Sequence, residues 1–277
     1  MGSLICALAS YLDARANDGV WLLRMEDLDP PREPAASAQS ILASLQAHGL
    51  NWDGEVLYQS QRHNAYAAIV QQLLSSQSAF RCDCTRAQLI AQDNIYRGRC
   101  RQQQPGDEVS CSIRVLVNSD SQITIEDQLQ QPLYQDLSQE VGDFIIQRKD
   151  GLYAYQLAVV IDDAFQGITR VVRGSDLYDS TPRQVYLQHV LGYPTPLYTH
   201  IPVITNDQGQ KLSKQTHAAA LIDTAAKDNL RRALGFLGQV SPRGDHQELD
   251  ALLREAANNW RPAAVPACMA IPESSLG

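Results

Sequence analysis

The chain has 277 residues, 44% of them hydrophobic and 19% charged, which is the composition of an ordinary globular protein with length for one large core or two modest ones. Its net charge of −8 and pI near 5.2 exclude a broad, sequence-blind grip on nucleic acid, which needs many Lys and Arg facing phosphates, but leave room for a local basic path. No apolar run approaches the ~20 residues that span a bilayer, so no membrane partner is expected.

Leu4, Leu8, Tyr11 and Leu12 fall on one face of a first helix. The opening "MGSLICALASYLDA" lacks the basic n-region of a signal peptide, and position 6 is Cys where the myristoylation motif needs Ser or Thr. An apolar strand, "VWLLRM" (Val20–Met25), follows and runs into acids and prolines. Ile41, Leu42 and Leu45 mark a second helix stopped by Gly49, and Tyr66, Ile69, Val70, Leu73 and Leu74 mark a third. Helix, strand, helix, helix with short connections predicts an α/β domain with a parallel sheet.

The middle of the chain changes character. "CSIRVLV", "ITIEDQ" and "DFIIQR" read as short strands of an antiparallel α+β insertion. The α/β rhythm resumes with the apolar runs "LAVVID" (157–162) and "ITRVVRG" (168–174), a helix near Pro182–Leu191 and a strand "HIPVIT". Beyond about Gly235, Leu249, Leu252, Leu253 and Ala256 define one amphipathic helix, followed by a Pro/Ala-rich tail expected to be loosely held.

Half of the six cysteines lie within "RCDCTRAQLIAQDNIYRGRC", where Cys82, Cys84 and Cys100 supply three ligands for a tetrahedral zinc. In the cytoplasm, the expected compartment, such a cluster points to metal or catalysis over disulfides. No histidine lies between His63 and His189, so the fourth ligand is open between Tyr96, four residues before Cys100 and able to share its helical face, and Cys111. The bland alternative is a set of buried, inert thiols. Arg86, Arg97, Arg99 and Arg101 surround the cysteines as a basic path or a solvated edge.

Three further segments carry chemistry. "KLSKQ" places Lys211, Ser213 and Lys214 on an exposed loop after a strand, either a set able to hold polyphosphate oxygens or lysines that are simply solvated. Glu26, followed by Asp27 and Asp29, sits where a strand runs out, the end at which open α/β sheets bind ligands, and has two readings, a site for an ammonium group or an acidic helix-capping loop. Arg173 ends another apolar strand and has two readings, a fork onto a carboxylate or an ion pair with Asp176. Tyr155 adds a phenol donor.

Taken in order, "GSLICALASYLDARA", "LLRMEDLDPPR", "VVIDDAFQGITRVVRGSDL" and "KLSKQ" resemble class I aminoacyl-tRNA synthetases of the glutamyl type across almost the whole chain, with "KLSKQ" similar to that class's KMSKS loop. The Cys-x-Cys-x11-Tyr-x3-Cys spacing is similar to the zinc site of the glutamyl-queuosine tRNA(Asp) synthetases, a family without an anticodon-binding domain. The resemblance implies a Rossmann-like catalytic domain over 1–75 and 143–234, a zinc-bearing α+β insertion over 76–142 and a small helical C-terminal part over 235–277. It implies one structural Zn²⁺ on Cys82, Cys84, Tyr96 and Cys100, with Mg²⁺ arriving on ATP. Glu26 would hold the amino group of L-glutamate, Tyr155 and Arg173 its carboxylate side, and Gly2, Ser3 and Lys214, with Lys211 and Ser213, the phosphates of ATP. Val159 stands where glutamyl-tRNA synthetases commonly have Asn, and Leu177 where they have Trp.

The implied reaction is activation of glutamate without tRNA, then transfer of the glutamyl group to queuosine in the anticodon loop of tRNA(Asp), by a monomer. Class I synthetases begin with a strand, a Pro/Ser/Gly loop and the HIGH motif, whereas Gly2 and Ser3 match only the last part of that motif and no histidine precedes His48. The resemblance therefore implies an N-terminally truncated chain. Two alternatives follow, a non-catalytic zinc-stabilised tRNA-binding module that lost the HIGH motif, or a fragment of an ordinary glutamyl-tRNA synthetase.

Overall fold

The computed structural model describes residues 1–29, 37–85, 87–88, 95–96, 98–103, 105–106, 108–212, 221–242 and 248–276. Ser213 and Lys214, like Arg86 and Arg97, lie outside the described residues.

Helix α1 (Gly2–Ala16) buries Leu4, Ile5, Leu8, Ala9 and Leu12, the 3.6-residue stripe that its sequence encodes. The expected strand Val20–Met25 contracts to β1 (Arg24–Met25), which pairs in parallel with β2 (Leu57–Tyr58). Before β1 the backbone is still held on that edge, because Asp53 and Leu57 N–H donate to the carbonyls of Trp21 and Leu23. A strand with a single two-residue neighbour has little ladder to extend. Between the two strands lies α2 (Ser37–Ala47), and α3 (His63–Ser75) follows β2.

The expected antiparallel region is present. Strands β3 (Ala79–Cys82), β4 (Ser112–Val115) and β7 (Ile145–Gln147) form one antiparallel sheet in the order β3-β4-β7. A short helix α4 (Arg99–Gln102) lies between β3 and β4. A second hairpin pairs β5 (Gln122–Ile125) with β6 (Leu133–Asp136), and α5 (Leu137–Glu140) leads on to β7.

The apolar run 157–162 is helical, inside α6 (Tyr155–Gln166). Seven consecutive residues, Leu157 to Asp163, are buried, which marks a helix enclosed on all sides rather than a half-buried strand. Gly167, at φ 65°, closes α6 in the left-handed conformation that only glycine adopts cheaply. Strand β8 (Arg170–Gly174) then pairs in parallel with β9 (Leu197–Ile201), joined through a 3₁₀ turn (Ser175–Ser180) and α7 (Thr181–Leu191).

The expected strand "HIPVIT" is split into β9 and β10 (Val203–Thr205), because Pro202 has no N–H to give to a ladder. Helices α8 (Ala226–Phe236) and α9 (Leu249–Asn258) cover α1, and one core joins Leu8 and Leu12 to Leu230, Leu234, Leu252 and Leu253. The tail, expected to be loose, is held: β11 (Ala270–Pro272) pairs in parallel with β10, and Val265 is buried.

Candidate active site

A cavity of about 1010 Å³ opens among α1, β1, α6 and β8. The sequence-predicted residues Gly2, Ser3, Glu26, Tyr155, Arg173 and Lys211 all line it. They come from segments as far apart in the chain as Gly2 and Lys211. Gly2 and Ser3 open α1, so the unsatisfied N–H groups of its first turn lie at the cavity wall. Glu26 follows directly on β1, and Arg173 lies in β8.

Glu26 is not isolated. Arg24 places Nη2 3.4 Å from Glu26 Oε1 and Nη1 2.8 Å from Asp163 Oδ1. Burial pushes the Glu26 and Asp163 carboxyls above their ordinary values, and Arg24 opposes that rise for both. Burial would depress Arg24 itself, but the two carboxylates keep its guanidinium firmly charged. The wall around Glu26 thus carries two acids and one base, and the surplus negative charge suits an ammonium group. Asp27, by contrast, is spent on structure, since it accepts from Ser60 N–H at 2.9 Å and Ser60 Oγ at 2.6 Å.

Arg173 lines the same cavity, and its charge also opposes the rise of the Glu26 and Asp163 carboxyls. Its Nε donates to His200 Nε2 at 2.9 Å and its Nη2 to Thr181 Oγ1 at 2.7 Å, while the guanidinium packs 5.2 Å from the Tyr198 ring centre. The ion pair with Asp176 does not form, because Asp176 pairs with Lys211 at 2.5 Å. Tyr155 lies nearby with its phenol held in the neutral form by burial. Arg24, Asp163 and His200 escaped the sequence reading. The one signal for Arg24 was its spacing, two residues before Glu26 on the same strand face.

The cysteines form a second, separate site. The sulfurs of Cys82, Cys84 and Cys100 lie within 4.8 Å of one another, and all three residues are buried. Cys111, half-buried, is not part of the cluster. Tyr96 enters from outside any helix: Gly98, at φ 88°, separates it from α4, so the shared helical face expected from sequence does not exist. Instead, Tyr96 bridges to Gly142, whose φ of 68° and missing Cβ allow the approach, since a Cβ there would collide with the Tyr96 carbonyl oxygen.

The Tyr96 hydroxyl accepts from Cys100 N–H at 2.7 Å, and its ring lies under the Arg114 guanidinium at 4.3 Å. Arg114 also donates Nε to Cys82 Sγ at 3.3 Å. Burial and the two adjacent thiols push Cys84 up to about 11, a crowding that a cation would relieve. Arg101, one of the basic residues flanking the cysteines, is bound into this region by a fork onto Asp143 at 2.6 and 2.7 Å.

The model for the catalytic domain of class I tRNA synthetases (E and Q) matches residues 1–238. The chain belongs to that family. Within it, curated relatives similar to this chain over nearly its whole length are glutamyl-Q tRNA(Asp) synthetases from several bacteria. That of Thiobacillus denitrificans is 51% identical over 273 residues, covering 96% of this chain and 90% of the relative. That of Pseudomonas aeruginosa is 49% identical over 276 residues, covering 99% and 94%. Among solved structures, a glutamate tRNA ligase from Elizabethkingia meningosepticum, in complex with its amino acid, superposes with a TM-score of 0.79 at 23% identity. That match covers 97% of this chain but spans only 63% of the ligase, and it supports the shared catalytic fold.

Proposed function

We propose that the chain activates L-glutamate with ATP and transfers the glutamyl group to queuosine in the anticodon loop of tRNA(Asp). The observation that carries this reading is one cavity lined together by Glu26 with Arg24 and Asp163, by Arg173 and by Gly2 and Ser3 of α1. The relatives' shared name supplies the acceptor.

Glutamate is a cation at one end and carries two carboxylates. Glu26, with Arg24 and Asp163 behind it, holds the ammonium group, while Arg173 and Tyr155 take a carboxylate. The α-carboxylate attacks the α-phosphorus of ATP, forming a C–O–P linkage as the bond to pyrophosphate breaks. Charge grows on the leaving pyrophosphate, and it is met by Lys211, by Lys214 and Ser213 of the same segment, by the α1 N-terminus at Gly2 and Ser3, and by the Mg²⁺ that accompanies ATP. A hydroxyl oxygen of queuosine then attacks the adenylate carbonyl; the ester bond forms as the bond from that carbonyl carbon to the phosphate oxygen breaks, AMP leaves with the bonding pair, and the hydroxyl proton is released to solvent.

In the same proposal, Cys82, Cys84 and Cys100 with the Tyr96 oxygen hold one Zn²⁺. The donor set fits: three buried sulfurs converge, and Arg114 offsets their charge. Four protein ligands leave no open position for a catalytic water, so the metal would tie β3 to α4 as a structural bolt. We assign residues 76–142 to this zinc-bearing insertion, 1–75 and 143–234 to the catalytic domain and 235–277 to the C-terminal helical part, and place the protein in the cytoplasm.

Exchange of labelled pyrophosphate into ATP, dependent on glutamate and with tRNA omitted, tests the reading. The proposal expects exchange with glutamate and none with glutamine. A chain that binds tRNA but exchanges with neither would instead be the non-catalytic module.

A further inference from the structure

Behind Arg173 sits a buried pair that the reaction as described does not use. His200 and Asp127 come from β9 and from the turn after β5, and both side chains are fully inaccessible. Asp127 Oδ1 accepts backbone N–H from Leu129 and Gln130 at 2.9 Å each and from His200 at 3.3 Å. Its other oxygen, Oδ2, lies 2.6 Å from His200 Nδ1. A carboxylate only accepts, so Nδ1 carries the proton and Nε2 is a bare lone pair. That lone pair receives Arg173 Nε at 2.9 Å.

We propose that Asp127 and His200 act as positioning residues for Arg173: Asp127 fixes the His200 tautomer, and the bare Nε2 then aims the guanidinium into the cavity. The inference rests on Arg173 being the carboxylate ligand of glutamate. With Nε and Nη2 tied back to His200 and Thr181, the Nη1 end of Arg173 is left for the substrate.

The arrangement has a pH limit. The groups facing the imidazole are Asp127, Arg173, the Thr181 hydroxyl 3.1 Å from Nε2, and the rings of Tyr178 and Tyr198, with Asp176 acting from further away. Burial first, and Arg173 next, hold His200 below its ordinary 6.5, against the pull of Asp127. A depressed folded value means the neutral ring belongs to the folded site, so the contribution is whole above 6.5 and is lost as pH falls through the lower folded value. Protonation would point an Nε2–H at the Arg173 N–H.

Three variants and one spectrum test this. In Asp127→Asn, the backbone N–H groups keep the amide oxygen at the Oδ1 place, so the amide NH₂ faces Nδ1 and turns the ring to the Nε2–H tautomer. That variant should raise the glutamate KM about 10-fold, with kcat and the ATP KM within about twofold. His200→Gln offers an amide oxygen near Nε2 that cannot titrate, so it should keep the glutamate KM within about threefold and remove the acid limb of the pH profile. Long-range ¹⁵N–¹H spectra of the labelled full chain should show neutral His200 protonated at Nδ1.

An Nε2–H tautomer in the wild-type chain, an acid limb that survives in His200→Gln, or an Asp127→Asn variant that moves both substrates alike would overturn the relay. Arg173→Ala separates the two levels. If it leaves the glutamate KM unchanged, the pocket reading falls and the relay with it. If it raises that KM while Asp127→Asn does not, the relay alone fails.

Discussion

The cavity and the cysteine cluster both gather polar side chains, yet they are built on opposite plans. Around the cysteines the donors and acceptors close on one another: Cys100 N–H ends on Tyr96, Arg114 on Cys82 and on the carbonyl of Asp143, and Arg101 on the Asp143 carboxylate. The three sulfurs, all on buried residues, lie within 4.8 Å of one another. In the cavity the ion pairs are incomplete by design. Arg24 is shared between two acids, and Arg173 spends two of its nitrogens on the protein and keeps the third. A closed set of ligands holds a fold together; an unbalanced set of charges waits for a molecule with the complementary imbalance.

The sharpest way to break the comparison is to remove one group from each site. Cys82→Ser should take bound zinc from about one per chain to almost none by metal analysis, since a closed tetrahedral site needs all four ligands. In the same variant, at a temperature where it stays folded, the glutamate KM should stay within about threefold of wild type. A large rise in KM with the zinc lost would mean that the two sites are one. Retained zinc in Tyr96→Phe would remove the tyrosine oxygen from the ligand set.

Arg173→Ala should do the reverse. A carboxylate facing a lost cation costs on the order of 3 kcal/mol, so kcat/KM for glutamate should fall by about 100-fold or more while zinc content is unchanged. Steady-state exchange kinetics with metal analysis on the same preparation would decide it.

The smallest effect should come from an ion pair that belongs to neither site. Arg15 forks onto Asp53 at 2.7 and 3.2 Å on the surface, and that hydrogen bond, with one from Trp21 N–H, lowers the Asp53 carboxyl. A lowered carboxyl contributes stability that is whole above its unfolded value, 3.8, and is lost as pH falls through the folded one. Asp53→Asn should therefore cost only about 0.5 kcal/mol at neutral pH by chemical denaturation, because exposed pairs are screened. That small loss should vanish in strong acid, and neither substrate kinetics nor zinc should change.

How far the sequence reached depends on how local each site is. Cys82, Cys84 and Cys100 stood within one short stretch, and spacing alone suggested a metal. Glu26 and Arg173 were visible because each follows or closes an apolar run. The His200–Asp127 contact spans 73 residues of chain and joins two elements with no shared pattern, so nothing in the local sequence pointed to it. Asp162 is similar: it is fully buried and accepts from Gln59, Arg62 and Tyr66, partners about a hundred residues earlier. The limits of the strands were also hidden. The ends of β1 depend on which neighbours supply ladder partners, and a period-2 pattern carries no record of those; the break at Pro202, by contrast, follows from a residue the sequence shows.

The central claim is that the activated glutamyl group goes to the modified base of the anticodon loop and not to the 3′ end. It is tested most directly with labelled glutamate, ATP, and tRNA(Asp) prepared in four forms, with and without queuosine and with and without the 3′-terminal adenosine. The account predicts labelling of both queuosine-bearing forms to similar extents and of neither form that lacks queuosine. Labelling that requires the terminal adenosine and ignores queuosine would contradict it.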